Sequence, residues 1–377
     1  MSDNIKKTLV SAVKCDSYSI DQLRKAVKLA VAEAGGWPKK IKKNSSILLK
    51  PNLLTARPPK DAVTTHPEFV RAVILELKDL GVGKIALADS PAGNYSWDKL
   101  WTETGMKAVA EEEGVKLIPV EEIKRINASN GVTVPVMKEM DDFDLIISLP
   151  KLKTHILTKV TAAVKNSYGL IPGSAKSMFH GHYQSPKQMG LFIADIFDLI
   201  KPDFVIMDAV ICMQGLGPAN GSPFELGVVF AGNDAVAVDA CACGVYNYKP
   251  EDIPLLVKAA ENGFGIADLN MISKNGNAWD IVKDKRPKRS NSDFLHAIPE
   301  KLFHALTLFL TFRPHINQKK CVKCGVCKKV CSQDAIIIKN GKFIVQPSKC
   351  ILCMCCMESC ASHAINLKTF WGRLFRR

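Results

Sequence analysis

The chain has 377 residues, a net charge of +14, and 47% hydrophobic and 23% charged residues. This length is enough for two or three domains with sizeable cores, and the composition excludes a largely disordered chain. The apolar stretches are far shorter than a membrane span requires, and the first residues lack the pattern of a secretory signal. We therefore expect a cytoplasmic protein.

Short apolar runs alternate with helical patterns from residue 8 to about residue 270. Most runs lack polar–apolar alternation, which is typical of strands buried on both faces. The pattern predicts an α/β domain over residues 1–272, with a mainly parallel sheet covered by helices. The predicted strands are residues 8–13, 45–50, 84–89, 115–120, 144–150, 204–209 and 227–232. Helices are predicted over residues 21–33 and from His66-Pro67 onward.

Residues 273–312 are predicted to connect this domain to a second one. The first part is polar, basic and interrupted by glycine and proline, as in a linker. The second part, residues 294–312, has apolar residues at helical spacing and predicts an amphipathic helix. That helix would pack on one of the domains or lie on a membrane. Residues 370–377 form a basic aromatic tail that could add weak peripheral membrane contact.

Nine of the thirteen cysteines lie between Cys321 and Cys360. In a reducing compartment such a cluster favours metal or redox chemistry over disulfides. The cysteines form two C-x-x-C-x-x-C-x-x-x-C runs, the spacing of bacterial ferredoxins with two [4Fe–4S] clusters, whereas zinc modules pair two C-x-x-C units. Residues 313–369 are therefore predicted to be a small ferredoxin-like α+β domain that binds two [4Fe–4S] clusters.

In this pattern the fourth cysteine of each run binds the cluster of the other run. One predicted set of ligands is Cys321, Cys324, Cys327 and Cys360. The other set is Cys350, Cys353, Cys356 and Cys331. Cys355 is left over as a non-ligand that could compete for an iron.

The basic charge is concentrated at the same end of the chain. From Arg313 to Arg377 there are 13 basic and 2 acidic residues, whereas the rest of the chain has a net charge of only +3. Two oxidised clusters with their thiolates would lower the charge of this region by about four, so it stays basic. This asymmetry favours an acidic redox partner such as a ferredoxin. The near-neutral large domain argues against nucleic acid as the partner.

Polar residues follow several predicted strands, at the edge where open α/β sheets bind ligands. Because buried lysines need an anionic partner, their convergence predicts a site for a small anion, such as a carboxylate or phosphate. The predicted catalytic residues are Lys151, as a base or nucleophile, and His155, as an acid–base group. The predicted substrate-binding residues are Lys50, Asn52, Asp89, Lys153, Lys165, Asn166 and Asp208. The alternative is that each lysine reaches solvent or pairs with an aspartate.

Two weaker patterns occur in the same domain. His180 and His182 form an H-x-H pair that could bind a metal or belong to an ordinary loop. The glycine-rich loop at residues 215–222 does not match a phosphate-binding loop, and no G-x-G-x-x-G follows the first strand.

These motifs together resemble a known family. The segments are Lys50-Pro51-Asn52, Pro150 to His155, Lys165-Asn166-x-x-Gly169, Asp208 and the glycine-rich loop. They are similar to the family catalogued as domain of unknown function 362, many members of which carry a C-terminal double-cluster ferredoxin domain. The resemblance implies a fold and clusters, not a reaction. The architecture is also distantly similar to the lactate racemase family with its nickel cofactor, but no residue match carries that nickel site over.

The favoured hypothesis is an iron–sulfur oxidoreductase of anaerobic metabolism. Its clusters would relay electrons to a substrate or cofactor held at the lysine-rich strand ends. The alternative is a non-enzymatic electron-transfer or docking partner for another redox enzyme.

Overall fold

The computed structural model describes residues 7–368, apart from residues 94, 129, 184, 291–295 and 297–312. The strands, in chain order, are β1 (Thr8–Lys14), β2 (Ser46–Pro51), β3 (Lys84–Leu87), β4 (Lys116–Leu117), β5 (Ile123–Asn127), β6 (Thr133–Met137), β7 (Leu145–Leu149), β8 (Lys151–His155), β9 (Lys159–Thr161), β10 (Phe204–Gln214), β11 (Ser222–Gly232), β12 (Ile272–Asn275), β13 (Arg313–Ile316), β14 (Ile336–Lys339), β15 (Lys342–Val345) and β16 (Ile365–Lys368). The α-helices are α1 (Ile20–Glu33), α2 (Pro67–Asp79), α3 (Trp97–Glu103), α4 (Met106–Glu113), α5 (Ala163–Asn166), α6 (Gly173–His182), α7 (Pro186–Phe197), α8 (Ala235–Ala242), α9 (Pro254–Glu261), α10 (Trp279–Asp284), α11 (Val326–Lys329) and α12 (Cys355–Glu358).

The large domain is built on one ten-stranded sheet. Eight strands follow the order β12-β1-β11-β10-β7-β2-β3-β4, and β8 and β9 extend from β10. Only β11 is antiparallel to its neighbours along the eight-strand path. The predicted α/β class with a mainly parallel sheet is therefore confirmed, and each predicted strand of that domain is present.

Alternating residues of the central strands fill two separate cores. Ile47 and Leu49 of β2 point to the core formed with α1 and α2, whereas Leu48 points to the core on the other face, formed with α7 and α8. Because both faces are covered, these strands are apolar without interruption. Helix α2 begins as predicted, with Pro67 in its first turn and the His66 ring accepting from the Glu68 amide (3.2 Å).

The segment after β7 differs from the prediction. The sequence placed Lys151, Lys153 and His155 after the end of the predicted strand 144–150, but residues 151–155 form the fully buried strand β8, which pairs with β10 and continues into a hairpin with β9. The tip of this hairpin, Ile156 and Leu157, packs into the apolar core of the cysteine-rich domain. The hairpin thus carries the strand-end lysines toward the predicted cluster domain.

The predicted boundary at residue 272 also differs from the structure. Strand β12 pairs in parallel with β1, and Trp279 of α10 packs on Phe230 of β11. Residues 273–290 therefore belong to the α/β domain and not to a linker. The predicted helix over residues 294–312 and the tail over residues 370–377 lie outside the described residues.

The cysteine-rich domain is a small α+β unit. Two antiparallel strand pairs, β13–β16 and β14–β15, enclose two short helices, α11 and α12. Each helix contains the third cysteine of its run, Cys327 or Cys356. Within the described part of the chain, no helix has the length and apolar character needed to cross a membrane.

Candidate functional site: a lysine cavity beside the cysteine runs

Lys50 has no proton left for a ligand. Its ammonium donates to three oxygen atoms, which belong to Asp89 (2.7 Å), Pro51 (2.9 Å) and Asn166 (3.2 Å). An ammonium has three donors, so all of them are used. Burial lowers the pKa of Lys50, and the Asp89 carboxylate opposes that shift. Lys50 therefore neutralises Asp89 and fixes the position of Asn166.

The backbone at Gly169 passes very close to the Lys50–Asp89 ion pair. A Cβ added to Gly169 would lie 1.8 Å from Asp89 Oδ1 and 2.4 Å from Lys50 Nζ. Only glycine therefore fits at the motif position after Lys165-Asn166.

Lys151, a predicted catalytic residue, lies in a different network. Its ammonium donates to Asp208 Oδ2 (2.8 Å) and to the Tyr18 hydroxyl (2.7 Å), and Tyr18 donates to Asp208 Oδ1 (2.8 Å). The His66 ring stacks on Tyr18 at 3.7 Å between centroids. Lys151 and Asp208 do not line the cavity described next. Their buried ion pair is the alternative that sequence reasoning left open, and nothing in the sequence pointed to Tyr18.

The other lysines surround a cavity of about 50 Å³ between the two domains. Lys153 donates to Asn52 Oδ1 (2.9 Å) and to the Val63 carbonyl (2.7 Å), and no carboxylate of the described residues lies at hydrogen-bond distance from it. Burial and the charge of Lys165 hold the pKa of Lys153 well below its ordinary value. Lys165 also lines the cavity, and its ammonium has no hydrogen-bond partner among the described residues.

Several residues of this cavity were not predicted to belong to it. Lys176 donates to the Ser90 carbonyl, and burial lowers its pKa to about 7. His180 and Thr161 line the cavity, and the buried atoms His180 Nδ1 and Thr161 Oγ1 have no hydrogen-bond partner in the described part of the chain. Neither Lys176 nor Thr161 follows a predicted strand. Of the H-x-H pair, only His180 lines this cavity, while His182 lines a neighbouring cleft.

The cysteine-rich domain supplies the remaining wall of the cavity. Cys355 and Glu358 of α12 line it, and the Glu358 side chain is buried. Burial alone would raise the pKa of Glu358, but His155 and Lys165 outweigh burial and lower that pKa to about 2. Glu358 is one of only two acidic residues after residue 312, which is the signal that sequence reasoning overlooked.

His155, the other predicted catalytic residue, lies behind Glu358. Its Nδ1 accepts from the amides of Leu157 (3.0 Å) and Thr158 (3.3 Å), so the proton is on Nε2. That Nε2 lies 3.4 Å from Glu358 Oε1. Burial lowers the pKa of His155 to about 3, so the ring is neutral. His155 positions the Glu358 carboxylate and does not itself line the cavity.

The eight predicted cluster ligands gather into two groups. One cavity is lined by Cys321, Cys324, Cys327 and Cys360, and another by Cys331, Cys350, Cys353 and Cys356. This grouping has the crosswise order predicted from the sequence, and the role of these cysteines as cluster ligands stays a prediction. The Ala335 amide donates to Cys331 Sγ (3.2 Å), and the Ala364 amide donates to Cys360 Sγ (3.3 Å). The first cavity has four thiols in its wall, and the second has the same number plus the thiol of Cys355, so each offers the four donors that a [4Fe–4S] cluster needs.

Hydrogen bonds fix the two domains to each other near the cysteines. The buried Arg57 guanidinium donates to the Cys360 carbonyl. Ser359 Oγ donates to the Ala92 carbonyl (2.9 Å), and Asn220 Nδ2 donates to the Ile365 carbonyl (2.6 Å). The lysine cavity is therefore held against the cysteine cavities.

Comparisons with known proteins find matches to both domains. The model of the family described as Domain of unknown function (DUF362) matches residues 47–244. A thylakoid-associated protein of Synechocystis sp. is 30% identical over 268 residues, which cover 68% of this chain and 79% of that protein. The chain belongs to the DUF362 family. The 4Fe-4S binding domain model matches residues 314–337, so this DUF362 chain carries a 4Fe-4S ferredoxin-type domain.

Three further similarities are more limited. A ketoisovalerate oxidoreductase subunit of Pyrococcus furiosus is 47% identical over 34 residues, 9% of this DUF362 chain and 32% of that subunit. The lactate racemase apoprotein of Thermoanaerobacterium thermosaccharolyticum is 13% identical, with a TM-score of 0.39 over 62% of this chain and 55% of that chain. A protein of Thermotoga maritima is 14% identical, with a TM-score of 0.33 over 53% of this chain and 52% of that chain. The chain thus spans about half the length of these two solved structures.

Proposed function

We propose that the protein is an iron–sulfur oxidoreductase in which two [4Fe–4S] clusters pass electrons to an anionic ligand in the lysine cavity. The main support for this proposal is that one residue lines both the lysine cavity and a cysteine cavity. Cys355 lines both the lysine cavity and the cavity formed by Cys331, Cys350, Cys353 and Cys356. A cluster held by those four cysteines would be separated from a ligand in the lysine cavity by one side chain.

The residues of the chain would perform three tasks in this function. The eight cysteines would hold the clusters, which supply one electron at a time when bound. Lys153, Lys165 and Lys176 would bind and orient the anion, and the close packing of the hairpin tip against the cysteine-rich domain would limit the access of water. Lys151, whose ammonium donates to Asp208 and Tyr18, would have a supporting role in the structure.

The first cysteine run supports electron uptake from an acidic protein. Its loop is exposed at Cys324, and Val322 is 69% exposed. Five exposed lysines surround the loop, without an acidic residue between them: Lys319, Lys320, Lys323, Lys328 and Lys329. A basic patch around an exposed cluster favours encounter with an acidic electron donor such as a ferredoxin. A cytoplasmic location, with its reducing conditions, and a place in anaerobic metabolism are part of this proposal.

Native mass spectrometry of the full chain, purified without oxygen, tests the proposal. We expect a mass for two clusters, about eight iron atoms in total, plus a small bound species. The Lys165→Met variant should retain the clusters and lose the bound species, whereas Lys187→Met, at an exposed lysine on α7, should retain both. Fewer than two clusters would contradict the cofactor assignment. Two clusters with no further species in the unmodified chain would contradict the ligand assignment and favour a docking protein for another redox enzyme.

A further inference from the structure

The lysine cavity has more positive than negative charge among its described residues. Lys50 and Asp89 neutralise each other in their buried pair. Three ammonium groups then remain in the wall, those of Lys153, Lys165 and Lys176, against the single carboxylate of Glu358. When all three are protonated, two positive charges lack a counter-charge, and burial accordingly lowers the pKa of each lysine. Buried charges in this state are costly unless an anion joins them.

The same groups also have unused hydrogen-bond capacity. Lys153 uses two of its three donors, Lys176 uses one, and Lys165 uses none among the described residues. His180 Nδ1 and Thr161 Oγ1 are buried and have no partner among the described residues. The residues that carry these unused groups all line one small space. A ligand that carries several acceptor oxygens would satisfy them together.

The charge of the neighbouring cluster does not replace such a ligand. An oxidised [4Fe–4S] cluster with four thiolates has a charge of about −2, which could balance the lysines at a distance. However, the cysteines that would hold the cluster line other cavities, and Cys355 is the only cysteine among the described residues that lines this one. Distant charge cannot accept hydrogen bonds from Lys165 and Lys176.

We infer that the cavity binds a compact dianion, such as an oxyanion, a short dicarboxylate or a phosphoryl group. Two negative charges match the two uncompensated lysines. The volume of about 50 Å³ is room for about four water molecules, which limits the buried part of the ligand to about five heavy atoms. This inference rests on the anion site of the proposed function and names the chemical class of its ligand.

An adjoining cleft leaves room for a larger molecule that ends in such a group. The cleft has a volume of about 910 Å³ and shares Ser90 and Ala92 with the lysine cavity. Its wall includes Tyr95, Trp97 and the exposed Met178, apolar surfaces that could contact an organic body. The dianion is therefore either a free ion or the end of a molecule that lies in the cleft.

Anaerobic isothermal titration calorimetry of the cluster-loaded full chain tests this inference. The probes are sulfate and oxalate as compact dianions, glycerol 3-phosphate as a dianion on a larger body, and acetate as a monoanion, all at equal ionic strength. We expect at least one dianion to bind with one-to-one stoichiometry and at least about tenfold tighter than acetate. Tighter binding of glycerol 3-phosphate than of sulfate and oxalate would assign the cleft to the ligand, and the reverse order would assign a free anion.

Two variants locate the binding. Lys165→Met should weaken the binding of the dianion by about tenfold or more, with a smaller effect on acetate. Lys187→Met should leave both affinities unchanged. The inference is overturned if no dianion binds, if acetate binds as tightly as the dianions, or if Lys165→Met binds them like the unmodified chain. Binding of a dianion to a chain whose reduced clusters are never reoxidised by any ligand would retain this inference and refute the proposed electron transfer.

Discussion

The two cysteine runs have the same spacing but opposite surroundings. In the first run, Lys328 and Lys329 follow Cys327 and are exposed. The equivalent positions of the second run are Met357 and Glu358, and both are buried against the rest of the protein. The local backbone is nonetheless repeated, since Lys323 and Leu352 at the third position have φ angles of 56° and 60°.

The two runs share the features that would bind a cluster and differ in the side chains between the cysteines. The cysteines and their turns form two similar local structures, each with one amide donating to the sulfur of the fourth cysteine. The side chains between the cysteines then decide that one run faces solvent and the other faces the lysine cavity. The repeat therefore serves electron uptake at one end and electron delivery at the other, in the function proposed above.

The largest expected effect comes from removing a ligand of each predicted set. Cys356→Ala should lower the iron content from about eight to about four per chain and abolish reoxidation of the reduced protein by a bound ligand. Cys324→Ala should lose the same amount of iron, but it should slow the reduction of the protein by an external donor. Iron analysis and stopped-flow absorbance measure the two steps. Equal effects of both variants on both steps would contradict the different roles proposed for the two runs.

The next effect concerns Glu358 and its exposed counterpart. Glu358→Gln removes the carboxylate that offsets the positive charge of the cavity lysines, so we expect the free energy of unfolding to fall by about 3 kcal/mol, as when a buried charge loses its counter-charge. Lys329→Gln, at the equivalent exposed position, should change it by no more than about 0.5 kcal/mol. Denaturant unfolding of the cluster-loaded chain measures both. A Glu358→Gln chain as stable as the unmodified one would show that Glu358 does not join the domains.

A smaller effect is expected at the exposed lysines of the first run. Lys328→Glu should slow reduction by an acidic ferredoxin about tenfold at low salt, because steering of the encounter depends on opposite charge. The difference should disappear at high salt. Lys187→Glu changes the net charge equally and should have little effect. A rate that does not depend on ionic strength would contradict the proposed docking of an acidic donor.

The smallest effect is the pH dependence of dianion binding. Burial lowers the pKa of Lys176 to about 7, with Asp89 opposing the shift and Lys50 and Lys165 adding to it. The ammonium is present below that pH and is lost as the pH rises through it. The affinity for a dianion should therefore be constant below about pH 7 and decrease by up to about tenfold per pH unit above it. Titration calorimetry against pH measures this, and Lys176→Met should flatten the profile.

The sequence suggested an anion site because lysines at buried strand ends are costly without an anionic partner. The side chains of Lys50, Lys153 and Lys165 lie near those of Asn52, Asp89 and Asn166, although Lys153 is within β8 and Lys165 is within α5 and not at a strand end. Lys151 could not be separated from them by sequence, because its partner Tyr18 lies 133 residues away. Which lysine is paired and which is free depends on contacts between distant segments.

By itself, the sequence determined the alternation of buried strands and helices, the two crosswise groups of cysteines and the basic charge of the C-terminal region. These follow from local patterns, namely hydrophobic runs, fixed spacing and charge counts. Only the tertiary structure decided that β8 carries its lysines into the interface, that residues 273–290 belong to the sheet domain, and that Glu358 and Cys355 close the cavity. The physical reason is that these features are set by contacts between segments that are distant in the sequence, within the sheet domain and between the two domains, and such contacts leave no periodic or spaced signal.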